Sequence, residues 1–201
     1  MKRKLPRLRR VARVDLPVVE ASGLAAAVSG GELHVIVIGD RTAHMGLGTG
    51  FSVEGEADWR VVDLSELDGW ALAPRDSQLE AVAIDGGSTV ALLSEQPPTV
   101  AVADTARGSV VANISLSMPT GLSNAVDWAD PSSRGEGLVL LRGGRLLVAK
   151  EKRPSALIEF CPPGRPSGGV SRDDFLEDGE AWEAPEGDAV SYTHLRAHET
   201  Y

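Results

Sequence analysis

The sequence predicts an all-β fold: a β-propeller of four-stranded antiparallel blades, with about three blades carried by this chain. Three observations lead there. Among 201 residues, 22 are glycine and 12 proline, and the apolar runs are short, which favours strands joined by turns over long helices. A single frame recurs three times, in "ASGLAAAVSGGELHVIVIGDRT" from Ala21, "LEAVAIDGGSTVALLSEQPPTVAVAD" from Leu79 and "GEGLVLLRGGRLLVAKEKRPSALIEF" from Gly135. In addition, the inner runs are almost continuously apolar, whereas a strand with one wet face would alternate. Blades stacked face to face cover both sides of each strand and account for that.

The elements follow in chain order. Residues 1–19 form a basic start and lead-in, with Lys2, Arg3, Lys4, Arg7, Arg9, Arg10 and Arg13 ahead of the first acid, Asp15. The remaining 188 residues carry about −16, once those seven charges are taken from the total of −9. The start resembles the n-region of a signal peptide, but Arg13, Asp15, Pro17 and Glu20 interrupt the apolar stretch that should follow. It is therefore expected to be a disordered basic segment.

Residues 20–160 hold the blades, at about 20–78, 79–134 and from 135 onward. Each copy opens on a small or acidic residue and a short apolar run, then turns at Gly-Gly: Gly30-Gly31, Gly86-Gly87 and Gly143-Gly144. A second apolar run follows and ends at an acid, Asp40, Glu95 or Glu151. Ser22, Glu80 and Glu136 hold equivalent opening positions, so the period is 58 and then 56 residues, just past the kelch length.

The second copy shows four candidate strands, "EAVAI", "TVALLS", "TVAVA" and "SVVANISL", separated by "DGG", "EQPP" and "DTARG" turns. Four antiparallel strands make one blade. The third copy offers "EGLVLL", "RLLVAK" and "SALIEF" but no convincing fourth strand. Three blades do not close a ring, so another chain or a longer version of this one is expected to complete it.

Residues 161–189 are expected to be a solvated loop region rich in Pro and Gly, with eight acids between Asp173 and Asp188. The end, "VSYTHLRAHETY", carries both tyrosines and two of the four histidines. His194 and His198 sit four apart, a spacing that could place two zinc ligands on one helix face. However, Val190–Thr200 resembles one reading frame of the transposase adapter used in sequencing libraries, so residues 190–201 are read as a non-native tail on a truncated protein.

The repeated segments also resemble successive blades of the esterase-like phytase domain and of SdiA-regulated-type β-propellers. The resemblance is carried by S-G-L-A at Ser22, the strand ending in S-E at Glu95, and E-G-L at Glu136, and it covers about Glu20 to Phe160. It implies a ring of about six blades, roughly twice this length, and phosphoester or ester hydrolysis; it identifies no catalytic residue. Ala81 stands where the family has the glycine of E-G.

In such a ring the innermost strands line a central channel, so Glu80 and Glu136 are expected to converge on one axis. Carboxylates from separate blades suit calcium, which takes six to eight oxygens in flexible geometry. Ser22, Glu95 and Glu151 are possible further ligands. The structural alternative is that the glutamates accept hydrogen bonds from the neighbouring blade and tie the ring together. Glu95 and Glu151 follow their opening glutamates by 15 residues, so the hairpin returns them to the same end. Carboxylates gathered there would raise one another's pKa and make a general acid available. Lys152 and Arg153 beside Glu151, and Arg41 beside Asp40, point instead to surface ion pairs at those two.

The glycines of "HMGLGTGF" do not match a dinucleotide loop, since they come late and lead into "FSVEGE"; an interstrand loop is expected. His44 just ahead of it could face a ligand, while His34 is read as a satisfied core histidine. Trp59, Trp70 and Trp128 are assigned to blade packing, with ring stacking on a sugar as the alternative. No G-x-S-x-G or H-E-x-x-H is present, and Cys161, the single cysteine, has no evident histidine partner.

Function therefore divides two ways: a hydrolase acting at the channel mouth, or a non-catalytic scaffold binding a small molecule or protein loop on the same face. The acidic body argues against nucleic acid. No run approaches the 18 apolar residues needed to cross a bilayer, so a cytoplasmic protein, monomeric as a full ring, is expected.

Overall fold

The computed structural model describes residues 13–52, 54–72, 78–85, 87–118, 127–131, 134–152, 155–163, 169–177, 180–184 and, as backbone, 189–196. The start at 1–12, Gly86, Arg153 and His198 lie outside these residues. The described residues form an all-β structure of twelve strands with a few single 3-10 turns.

The first meander contains β1 (Ala21–Ser29), β2 (Glu32–Gly39), β3 (His44–Thr49) and β4 (Asp58–Asp63). The second contains β5 (Leu79–Ile84), β6 (Thr89–Ser94), β7 (Thr99–Asp104) and β8 (Ser109–Ser117), and the third begins with β9 (Gly135–Leu141), β10 (Arg145–Lys150) and β11 (Ala156–Cys161). Within each, neighbouring strands pair antiparallel in chain order. Turn chemistry dictates this locally: Gly30 and Gly31 both take positive φ, 61° and 84°, closing the two-residue hairpin in which Ser29 pairs Glu32.

The fourth place of the third meander is filled by β12 (Ala189–Arg196), a segment that the sequence does not mark as a strand. It pairs antiparallel with β11 and parallel with β8, linking the second and third meanders into one eight-stranded sheet.

A second departure from expectation is "HMGLGTGF", whose first six residues are strand β3 and not a loop. The glycines serve packing: a side chain at Gly46 would strike Pro17, and one at Gly48 would strike the rings of Trp59 and Phe51. Trp59 stands edge-on to Phe51 at 5.7 Å.

The middle meander is covered on both faces. Val82, Val90, Leu92 and Ala101 pack with Ile36, Ile38 and Met45 of the first meander. From the opposite face Ala91, Leu93, Val100 and Val102 pack with Leu138, Leu146, Val148 and Phe160 of the third. Consequently β6 and β7 are buried along all but one terminal residue each, which is why their sequences run continuously apolar.

The acidic segment after Cys161 is irregular, as expected, but its described parts dock on the body. Trp182 is 6% exposed in the core between the second and third meanders, and its backbone N–H donates to Asp85 Oδ2 at 3.2 Å. Asp174 pairs with Arg145, and Glu177 and Glu180 pair with Arg142. The two arginines neutralise acids that sequence composition alone assigns to solvent.

Candidate functional site

The inner strands β1, β5 and β9 lie in succession, β1 against β5 and β5 against β9. The approach is close at Gly23, where an added Cβ would lie 3.2 Å from Ala81 Cα. The glycine expected at 81 is therefore not needed, because its neighbour on β1 supplies the room.

Each inner strand opens with a β-bulge at the residue that the repeat marks. The β1–β2 register runs from Ala21 to Gly23 and passes over Ser22; the β5–β6 register likewise passes over Glu80. On β9, Gly135 pairs Lys150 and Gly137 pairs Ala149, so Glu136 is the unpaired residue. A bulge inserts one residue into a ladder and re-aims its side chain. Ser22, Glu80 and Glu136 thus share both a sequence position and a backbone device.

The rest of this geometry also repeats. The amide of the acid ending each second strand donates to the carbonyl two residues before the bulge: Asp40 to Glu20 at 3.0 Å, Glu95 to Gln78 at 3.0 Å and Glu151 to Arg134 at 3.4 Å. Glu20 and Gln78 hold φ of 50° and 33°, a left-handed conformation that side chains seldom adopt. Such strain costs about 1–3 kcal/mol per residue and concentrates where backbone position is functional.

Two of the sequence-nominated groups are committed to holding meanders together. Ser22 Oγ donates to Leu79 O at 2.5 Å across β1 and β5. Glu95 is 8% exposed; its Oε1 accepts the Arg134 amide at 3.4 Å, and its carbonyl accepts Arg134 Nη1 at 2.8 Å. At these positions the tie reading describes the contacts. Glu80, half-buried, and Glu136, on the exposed side of β9, receive no hydrogen bond or ion pair among the described residues.

The acids do gather at one end. Burial, then the charges of Glu136, Asp40 and Glu95, push the Glu80 carboxyl up to about 7. Glu136 is raised by partial loss of water and by Glu151 and Glu95, with Lys152 opposing. Glu95 is raised by burial against the pull of its Arg134 bond. Glu151 pairs with Lys152 at 2.6 Å, and Asp40 with Arg41 at 3.7 Å, so the surface-pair expectation holds there.

Among the described residues, no three of His, Cys, Asp or Glu stand close enough together to hold a metal ion. Glu80 and Glu136 are the carboxylates left free for one, so most of calcium's six to eight oxygens would have to come from carbonyls, water or substrate.

The other nominated residues are dispersed. His44 is exposed at the start of β3, just across the turn from Asp40, and lies 3.8 Å from Asp63. His34 is not a core histidine; half-buried near the start of β2, it lines a separate cleft between the first two meanders. Trp128 is 8% exposed and packs against Phe160, with Nε1 donating to Leu116 O at 3.2 Å. Arg134 escaped sequence reasoning, and its place just ahead of the third opening glutamate was the available signal. No helix is long and apolar enough to cross a membrane among the described residues.

A scan against protein-family models finds no match, and a search of curated proteins finds none. Among solved structures, the chain is similar to a protein provisionally assigned as a 6-phosphogluconolactonase from Bacteroides uniformis, with 12% identity and a TM-score of 0.39. That match covers 73% of this chain and 38% of the other, so this chain spans well under half of that protein's length.

Proposed function

We propose that the three meanders are successive blades of a β-propeller and that their bulged inner-strand residues form a site for ester or phosphoester hydrolysis, with Glu80 as proton donor and Glu136 as its partner. The observation carrying this is the threefold recurrence of one device, a bulge plus a returning acid, at one end of adjacent inner strands, with left-handed backbone beside it in the first two. A carboxyl near 7 is half protonated at neutral pH and can give its proton to a leaving oxygen. The less enclosed Glu136 carboxylate can take a proton from the attacking water.

Charge divides the two substrate classes. A neutral ester meets no barrier at an acidic rim. A phosphoester dianion is repelled by the same carboxylates, so its turnover requires a divalent cation; calcium held by Glu80 and Glu136 would neutralise charge and polarise the phosphoryl oxygen, with Glu80 then an ionised ligand and the leaving oxygen stabilised by the cation in place of a proton from Glu80.

Binding without catalysis has its own support, because Ser22 and Glu95 already serve as ties between meanders. Assays of the full-length protein with p-nitrophenyl acetate and p-nitrophenyl phosphate, with calcium and with chelator, separate the readings. Acetate turnover insensitive to chelator, phosphate turnover abolished by it, and a fall in kcat of about 100-fold in E80Q are expected. No turnover above buffer with either substrate, or an E80Q enzyme as fast as wild type, overturns the hydrolase and leaves the scaffold.

A further inference from the structure

We propose that the cleft between the first two meanders, at the end away from the acids, binds a free α-amino acid with an apolar side chain. The cleft holds about 370 Å³, within the range of small-ligand sites. Its first wall follows from register: Ile36, Leu47 and Arg60 form one cross-strand row, and two residues along, Thr49 pairs Asp58. Alternate residues share a face, so Arg60, Thr49, Asp58 and His34 all look where Ile36 looks, toward the second meander. Ile84, Val90 and Thr105 line the far wall.

What distinguishes this wall is that its polar groups are unspent. At the corresponding end of the second meander, Asp104 accepts the amides of Ala106 and Arg107 and pairs with Arg107, while Thr105 Oγ1 donates to Ser88 O at 3.0 Å. In the first meander the side chains of His34, Thr49, Asp58 and Arg60 make no hydrogen bond or ion pair among the described residues. Asp58 and Arg60 do not pair with each other, although two residues on a strand are only about 7 Å apart.

Their chemistry selects the ligand. The Arg60 guanidinium offers a planar fork that fits a carboxylate, and Asp58 accepts from an ammonium. An anion such as phosphate would meet Asp58, and a neutral sugar would leave both charges unmatched. A zwitterion satisfies both, and Ile36, Leu47, Ile84 and Val90 provide an apolar floor for its side chain.

Calorimetric titration of the full-length protein with L-leucine tests this, with isovalerate and isopentylamine as ligands carrying one charge each. Saturable L-leucine binding at millimolar Kd or tighter is expected, with each half-ligand about tenfold or more weaker. Arg60→Met should remove isovalerate binding, and Asp58→Asn should remove isopentylamine binding while sparing isovalerate. Both side chains are exposed, so the melting curves should match wild type and serve as the folding control. No saturable L-leucine binding up to about 10 mM, or L-leucine binding unchanged in both variants, overturns the proposal.

Discussion

The middle meander and its two neighbours are written in the same sequence pattern but differ in what surrounds them. Along β6 and β7 nearly every side chain is buried, because a sheet packs on each face. On the first meander Leu24, Val28, Leu33 and Val61 are 64%, 50%, 44% and 50% exposed, the last three on the face turned away from β5 and β6. Val139 and Leu157, at 39% and 44%, mark the corresponding free face of the third. "GLAAAV" and "EAVAI" are equally apolar, yet only the second is enclosed. An apolar run specifies a strand, and the number of neighbouring sheets specifies how much of it is buried.

The largest effects should separate these two environments. Leu92 is fully buried at the interface between the first two meanders, and Leu33 lies on the free face of the first. Leu92→Ala is expected to cost about 3–5 kcal/mol, from lost transfer free energy plus an unfilled cavity. Leu33→Ala should stay within about 0.5 kcal/mol. Urea denaturation of the two variants tests the contrast, and equal losses would break it by showing that the free face is covered in solution.

Legibility in the sequence followed the same division. The four strands of the middle meander are readable almost to the residue, since "DGG", "EQPP" and "DTARG" punctuate runs that period and length both assign to strands. β3 was not readable, because Gly46 and Gly48 look like loop residues until Pro17, Phe51 and Trp59 are seen lying over them. The repeat located Ser22, Glu80 and Glu136, and hairpin return pointed to Glu95 and Glu151 at the same end, where Asp40 also lies. It did not reveal that the three opening residues are bulges, since a bulge is a property of the pairing between two strands. Nor did it show that Arg134 ties up Glu95, a contact between residues 39 apart. The cleft residues His34, Thr49, Asp58 and Arg60 lie on three strands, and only cross-strand register makes them neighbours.

A titration sharpens the comparison at the bulges. Glu80, on the middle inner strand, is more enclosed than Glu136, and it faces Glu136, Asp40 and Glu95. Its carboxyl rises in the fold from an ordinary 4.5 to about 7, so folding favours the protonated form. The associated stability is therefore complete below about pH 4.5 and is lost as pH climbs through 7. Glu80→Gln cannot ionise. It should match wild type at pH 4 and be more stable at pH 8, by about 1 kcal/mol once screening of a half-open side chain is allowed for. Glu136→Gln should show the same sign with a smaller gap. Melting temperatures across pH decide this, and a Glu80→Gln protein less stable than wild type at pH 8 would show that the ionised carboxylate has a stabilising partner.

The smallest effect belongs to the outermost charge. Lys152 and Glu151 are 51% and 47% exposed at the side chain, so their 2.6 Å pair is bathed in water, and Lys152→Ala should move stability by no more than about 0.5 kcal/mol. Lys152 also lowers the carboxyls of Glu136 and Glu95, however. Its removal should raise the Glu136 titration midpoint, read by carbon NMR of the carboxyls, while Glu80, held up by burial and by Glu136, Asp40 and Glu95, stays near its wild-type value. If both move together, the acids titrate as one unit across the inner strands, and the greater enclosure of the middle meander does not set Glu80 apart. If only Glu136 moves, burial between two sheets, and not the local count of charges, is what holds the Glu80 carboxyl high.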